Sequence, residues 1–212
     1  MSDLRPGTWA EKELVIKKSR FIGRIFPVES KEEVEELLAR EREREGGANH
    51  HCYAYVIDSR GTDLGYSDDG EPQGTAGLPI LGVLQKRKLS HVLCVVTRYF
   101  GGIKLGAPGL VRAYGDACVA ALSATKVLEY GPAFRMKIEF DYSYLGKIEY
   151  YYKVCSVEEI HRTFFDRVIS EFWVPRSQSK VLMRNLQELS ADRCRIRFVE
   201  KAQRPVGKFS AE

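Results

Sequence analysis

Apolar positions along the chain fall into segments whose period switches between that of a strand and that of a helix. LVIKKSRFIGRIFPV (14–28) alternates poorly but is rich in β-branched and aromatic residues, which predicts a strand with Pro27 near its end. A helix follows, because Ser30 is a good N-cap with Glu33 three residues on, a capping box, and Val34, Leu37 and Leu38 form an apolar stripe that Gly46-Gly47 stops. Its charged second half, REREREGG, reads as a solvated end. HHCYAYVI (50–57) reads as a strand, with a turn at Ser59-Arg60-Gly61 and a short return around Leu64-Gly65-Tyr66. The loop SDDGEPQGTAGLP (67–79) leads to a helix carrying Leu81, Leu84 and Gln85. HVLCVVTRYF (91–100) is nearly continuously apolar, which predicts a strand buried on both faces. From Pro108, Leu110, Ala113, Tyr114, Ala117, Cys118, Ala121 and Leu122 recur at spacings of three and four, a helix lying on a sheet.

Gly131-Pro132 marks a domain boundary, because the pattern beyond it is self-contained. FRMKIEF (134–140) is a strand, and Leu145, Ile148, Tyr152 and Cys155 share a helical face. VEEIHRTFF and VISEFWV are strands meeting at Asp166-Arg167, Leu182, Leu186 and Leu189 stripe a second helix, and RCRIRFV (193–199) alternates as a last strand. The order βαββαβ is the ferredoxin-like arrangement. The expected organisation is therefore an α+β chain with domains at 1–131 and 132–200, and a tail at 201–212 that has little to bury and is expected to be mobile.

With 212 residues, 44% of them hydrophobic, the chain can bury a proper core, yet no run approaches the roughly 18 apolar residues of a membrane span. The N-terminus, MSDLRPGTWAEKELVIKK, carries charge where an export signal needs an apolar stretch, so the expected location is the cytoplasm. Cys52, Cys94, Cys118, Cys155 and Cys194 are scattered singly, which argues against a disulfide framework and a zinc ribbon and for buried thiols. The net charge of +4 falls entirely after residue 131, which permits contact with nucleic acid without requiring it.

The chemistry concentrates in TRYFGGIKLGAPGLVRAY, where a strand ends in Arg98-Tyr99-Phe100 and Gly101, Gly102, Gly106 and Gly109 surround a helix start. Such a junction lets backbone approach a ligand and presents free N–H groups to an anion, with Arg98 and Lys104 adding charge; tight strand–helix packing explains the same glycines. Neither G-x-x-x-x-G-K-[ST] nor G-x-G-x-x-G is present. Arg112 has two readings, a ligand contact or an i,i+4 pair with Asp116.

Asp68, Asp69 and Glu71, in a loop with Gly70, Gly74 and Gly77, can hold a divalent cation through oxygens, although the spacing misses the EF-hand pattern. A plain surface turn, or pairing with Arg98 or Lys104, explains them too. In His50-His51-Cys52 only His50 and Cys52 share a strand face, and two ligands do not make a metal site; His51 with Tyr53 and Tyr55 reads as a polar-aromatic surface. KKSRF (17–21) offers Lys17, Lys18 and Arg20 beside an aromatic ring, suited to phosphates and a base, or to guarding a strand edge. No G-x-S-x-G elbow and no assembled catalytic set appear, so no catalytic residue, metal or cofactor is assigned.

Taken together, KKSRFI (17–22), HHCYAYVI (50–57), GYSDDGEPQGTAGLPIL (65–81) and VVTRYFGGIKLGAPGLVRAYG (95–115) resemble, in order, the signature blocks of the YigZ/Impact family, RYFGGIKLG being the most characteristic. Residues 134–199 resemble the smaller domain of its bacterial branch by pattern. The resemblance implies an N-terminal domain like the second domain of a small-subunit ribosomal protein (ribosomal S5 domain 2-like), a fold also seen in elongation factor G, and a ferredoxin-like C-terminal domain. It also implies a role in translation: eukaryotic Impact proteins regulate translation by competing for a protein partner of a stress kinase, using an additional N-terminal domain for which residues before 14 leave no room. The leading expectation is a non-catalytic protein that binds RNA or the ribosome, or a protein of the translation apparatus, possessing a site at Lys18, Arg20, His51, Arg98, Tyr99, Gly101, Gly102, Lys104, Gly106 and Arg112. Asp68, Asp69, Glu71 and Gly74 form the loop beside it. The alternatives are a metal-assisted enzyme acting on a phosphorylated or nucleotide-like molecule through the three carboxylates, and a protein adaptor anchored by Tyr53 and Tyr99.

Overall fold

A computed structural model of the protein describes residues 3–190 and 193–209, with the side chains of 207–209 left aside. The chain is a mixed α+β protein whose contacts divide it into two compact units, residues 3–129 and residues 130–207.

The first unit is built on an antiparallel sheet of β2 (Ala10–Ile16), β3 (Ser19–Pro27), β6 (Val92–Tyr99), β4 (His50–Val56) and β5 (Leu64–Ser67), in that spatial order. Helices α2 (Gly77–Lys86) and α3 (Ala107–Ser123) cover one face through Ile80, Leu84, Ala117, Cys118 and Leu122. Helix α1 (Lys31–Arg44) covers the other through Val34 and Leu38, which meet Leu93 and Val95. Strand β6 lies at the centre and is buried on both faces, as its continuous apolar run predicts. Strand β1 (Asp3–Pro6) pairs with β7 (Val127–Phe140).

The single strand expected over 14–28 is instead the β2–β3 hairpin, closed by the two-residue loop Lys17-Lys18. Both lysines have positive φ, +46° and +65°, as a right-twisting two-residue hairpin turn requires. The usual Asn-Gly signal is missing there, which is why the turn is illegible in the sequence.

At the start of α1 the Ser30 hydroxyl accepts from the Glu33 N–H at 3.3 Å, and Glu33 Oε2 accepts from the Glu29 N–H at 2.8 Å, a reciprocal cap displaced by one residue from the expected box. The charged end of α1 is not simply solvated. Arg24 on β3 is 1% exposed and donates to Glu11 Oε2 and Glu41 Oε2, each at 2.6 Å, and to Glu45. A buried guanidinium needs such partners, and the Glu spacing on the helix supplies them.

In the second unit β9 (Val168–Pro175) pairs with β7 from Ala133↔Pro175 to Phe140↔Val168, β8 (Glu158–Phe164) pairs with β9, and β10 (Arg195–Phe209) pairs with β7. Helices α4 (Leu145–Val154) and α5 (Arg176–Ser190) supply Ile148, Leu182 and Leu186 to a core with Ile138, Phe140 and Phe172. Strand β7 runs through Gly131-Pro132 without a break, because the φ fixed by proline is compatible with extended backbone. Residues 201–209, expected as a mobile tail, continue β10; over 201–206 exposed and half-buried positions alternate, so pairing rather than apolar burial holds them. Residues 210–212 of that expected tail lie outside the described residues.

Candidate functional site

Strand register decides which of the sequence-predicted residues meet. His50 on β4 and Phe21 on β3 lie directly across from Arg98 on β6, so all three project from the sheet face covered by α2 and α3. Their neighbours Arg20, His51 and Tyr99 project from the opposite face, with α1. The expected site is therefore split by the sheet.

On the α3 face, Arg98 is 5% exposed and donates through Nη1 to Glu71 Oε1 at 2.5 Å. The same oxygen accepts from the Tyr114 hydroxyl at 2.7 Å, so a strand, a loop and a helix converge on one carboxylate. Arg98 Nη2 reaches Ser19 Oγ at 3.5 Å, and the guanidinium carbon lies 5.3 Å from the Phe21 ring centroid and 5.5 Å from that of Phe100. Arg98 Nε is buried and makes no hydrogen bond among the described residues. Of the two pairings open to the loop carboxylates, Glu71 takes Arg98.

The other two carboxylates of the loop serve the backbone. Asp68 accepts from the N–H groups of Gly74 (2.8 Å), Ala76 (3.0 Å) and Gly77 (2.8 Å), which shapes the loop and caps the start of α2. Asp69 Oδ2 accepts from the His51 N–H at 2.6 Å. Its carbonyl lies 2.8 Å from His50 Nδ1, which must carry the proton there, since a carbonyl only accepts; Nε2 is left 4.0 Å from Glu71 Oε1. The three carboxylates thus have three separate duties, and among the described residues no group of three or more His, Cys, Asp or Glu is placed to hold a metal.

The glycine junction between β6 and α3 sits directly against the β2–β3 hairpin. A Cβ on Gly101 would lie 2.0 Å from the Lys18 carbonyl carbon, so the approach of the two backbones requires glycine, and the Gly101 N–H donates to Ser19 Oγ at 3.1 Å. Gly102 and Gly106 have positive φ. Helix α3 then begins at Ala107 without a side-chain cap at Gly106, leaving N–H groups of its first turn available. Beside it opens a cleft of about 470 Å³ whose floor includes Glu71, Arg98 and His50 and whose walls include Phe100, Lys104 and Leu105. Asn49 Oδ1 accepts from the Phe100 N–H at 2.8 Å and holds that half-exposed ring at the rim. Lys104 is exposed and has no ion-pair partner among the described residues.

The remaining predicted positions lie elsewhere. Arg20 is paired with Glu13 at 2.9 Å and stands 5.1 Å over the Tyr99 ring, whose hydroxyl donates to Glu45 at 2.7 Å. His51 is buried beside Thr97 rather than forming an open polar-aromatic surface, and burial lowers its pKa. Lys18 is exposed on the hairpin loop. Arg112 is exposed on α3, does not line the cleft and makes no pair with Asp116. The residues that sequence reasoning left out are Tyr114, Ser19, Phe21, Asn49 and Phe100. Only Tyr114 carried a signal: a tyrosine in the apolar stripe of a helix needs a partner for its hydroxyl. Cys52, Cys94, Cys118 and Cys155 are buried thiols, as their scatter suggests, and Cys194 is half-buried.

No helix among the described residues is long and apolar enough to cross a membrane. The family model for the Impact N-terminal domain matches residues 17–122, which span the hairpin, the carboxylate loop and the glycine junction. The IMPACT family member YvyE of Bacillus subtilis is 39% identical over 199 residues, covering 91% of either chain. YigZ of Escherichia coli is 32% identical over 190 residues, with 88% of this chain and 92% of that one aligned. Rabbit Protein IMPACT is 36% identical over 95 residues, 42% of this chain and 29% of that protein. A solved structure described as a crystal structure of a hypothetical protein superposes with a TM-score of 0.61 at 31% identity, over 94% of this chain and 98% of that one. The two bacterial relatives align over both halves of the chain and the family model over the first, and on that basis the chain belongs to the IMPACT family.

Proposed function

We propose that the protein is a non-catalytic RNA-binding protein of the translation apparatus, docking on RNA or the ribosome through the β6–α3 junction, with an anionic group seated in the cleft. The observation that carries this reading is the buried Arg98, whose Nε lacks a partner among the described residues, beside the uncapped start of α3, with Lys104 at the rim likewise unpaired among them. Lys17 and Lys18 add exposed charge on the hairpin that abuts the junction. A role in translation control follows the family resemblance. The strand pairing β10–β7–β9–β8 supports a ferredoxin-like reading of the second unit, and the helix-covered antiparallel sheet of the first is consistent with a ribosomal S5 domain 2-like fold.

The metal-assisted enzyme is disfavoured by the separate duties of Asp68, Asp69 and Glu71. The adaptor reading is disfavoured because Tyr53 lies in a stacked contact with Tyr55 and Tyr99 is bonded to Glu45. In the second unit Arg135, Arg162, Arg167 and Arg204 are paired with glutamates, and the observations that support the reading lie in the first unit.

Binding of single-stranded RNA and co-sedimentation with ribosomes, measured from 50 to 300 mM salt, test it. Affinity is expected to fall log-linearly with salt, with a slope of about −0.7 per phosphate neutralised on a single strand. No binding to either at the lowest salt overturns the reading.

A further inference from the structure

The cleft has features that a phosphate site alone does not explain. A phosphate is satisfied by N–H groups and cations, yet much of this wall is apolar: Phe100, Leu105, Leu110 and Pro72 line it, and Phe100 is 47% exposed. At about 470 Å³ the space falls in the range of small-ligand pockets, too small for a nucleic-acid helix. Apolar walls with an exposed aromatic ring suit a flat heterocycle, because every base has a π-face that stacks on such a ring.

The floor supplies partners for the edge of such a ring. Glu71 Oε1 is saturated by Arg98 and Tyr114, whereas Oε2 accepts no hydrogen bond among the described residues. Arg98 Nε is the complementary orphan, a buried N–H donor without an acceptor. A carboxylate oxygen without a donor beside a buried donor without an acceptor leaves both to be filled, and an N–H next to a ring nitrogen or carbonyl does so. The edge of every unpaired base presents such a pair: an amino group beside a ring nitrogen in adenine and cytosine, N–H groups beside a carbonyl in guanine, and N3–H beside a carbonyl in uracil. Glu71 does not repel an anion at the other end of the cleft, because Arg98 neutralises it at 2.5 Å. There the start of the 17-residue α3 and the unpaired Lys104 supply the phosphate contacts.

We propose that the cleft binds one unpaired nucleotide, the base stacking on Phe100 and reading Glu71 and Arg98, the phosphate at the start of α3. This deepens the RNA-binding reading and rests on it for biological context.

Calorimetric titration of the full chain with AMP, CMP, UMP, adenosine and inorganic phosphate at low salt tests it, beside a parallel titration with single-stranded RNA. AMP, CMP and UMP are each expected to bind, and AMP at least tenfold more tightly than adenosine or inorganic phosphate. Phe100→Ala, at an exposed rim position, is expected to weaken AMP about tenfold, a stacking loss of about 1–3 kcal/mol, in a protein that remains folded by far-UV circular dichroism. Inorganic phosphate or adenosine binding as well as AMP overturns the nucleotide pocket. If RNA binds with the expected salt slope and no mononucleotide binds, the pocket is wrong and the RNA reading stands. If AMP binds selectively while RNA and ribosomes do not, the pocket stands and the RNA reading falls; if nothing binds, both fall.

Discussion

The Tyr114 hydroxyl and the Arg98 guanidinium donate to the same oxygen of Glu71, at 2.7 and 2.5 Å, although the three residues come from a helix, a strand and a loop. Removing the carboxylate and removing the hydroxyl therefore differ in consequence. Glu71→Ala leaves a buried guanidinium uncompensated and is expected to destabilise the first unit by about 3–5 kcal/mol. Tyr114→Phe deletes one hydrogen bond to a charged acceptor, about 1.5–3 kcal/mol. Urea unfolding at pH 7 measures both, and equal losses in the two variants would contradict the shared-acceptor arrangement.

Close backbone approach and backbone handedness can be separated at adjacent glycines. A methyl group on Gly101 collides with the Lys18 backbone, whereas one on Gly102 meets nothing within 4 Å and only opposes a φ of +81°. Gly102→Ala is expected to cost about 1–2 kcal/mol. Gly101→Ala is expected to exceed that, since neither backbone can yield without shifting the hairpin. Thermal melts of the two variants rank them, and a smaller drop for Gly101→Ala would exclude the tight hairpin–junction contact.

The division of the predicted residues by the sheet gives a third expectation. Arg20 and Tyr99 sit with Glu13 and Glu45 on the α1 face, so Arg20→Ala and Tyr99→Phe are expected to leave RNA affinity within about twofold. Lys104→Ala, on the cleft, is expected to lower affinity and reduce the magnitude of the salt slope by about 0.7. Filter binding at several salt concentrations distinguishes the two faces; a change of slope in Arg20→Ala would show that the α1 face also carries phosphates.

How much of this was legible depended on which signals are local. The helix at 107–123, the buried strand at 92–99 and the order of elements after residue 133 follow from period and end signals, and the structure places them where the pattern does. The hairpin at Lys17-Lys18 was hidden because its positive φ angles are set by cross-strand pairing, with no residue type announcing them. Candidate site residues can be picked out one by one, but the pairing of His50 with Arg98 is a matter of register between strands separated by β5, a loop and α2, which no single-chain pattern encodes. The same ignorance of register grouped Arg98 with Tyr99, whose side chains leave the sheet in opposite directions.

His51 gives stability a pH dependence. Burial is the main cause that holds its pKa below the ordinary value near 6.5, with Arg42 acting the same way and Asp69, Glu41 and Glu45 opposing. Between the two values the unfolded chain binds a proton that the native imidazole does not. Its stabilising contribution is therefore intact above about pH 6.5, declines as pH falls, and is lost once pH has passed below the folded-state value. Urea midpoints from pH 7.5 to 5 are expected to decline less steeply in His51→Gln than in the parent, and parallel curves would assign the decline to other groups.

Asp68 holds the N–H groups of Gly74, Ala76 and Gly77, so the segment that places Glu71 in the cleft floor is ordered before any ligand arrives. A loop left to order on binding would sacrifice about 1–2 kcal/mol of entropy per residue and add a slow rearrangement to association. With that loop fixed in advance, encounter becomes the rate-determining event: a single kinetic phase is expected whose rate rises linearly with ligand concentration and never levels off, its slope giving the association rate and its intercept the lifetime of the complex.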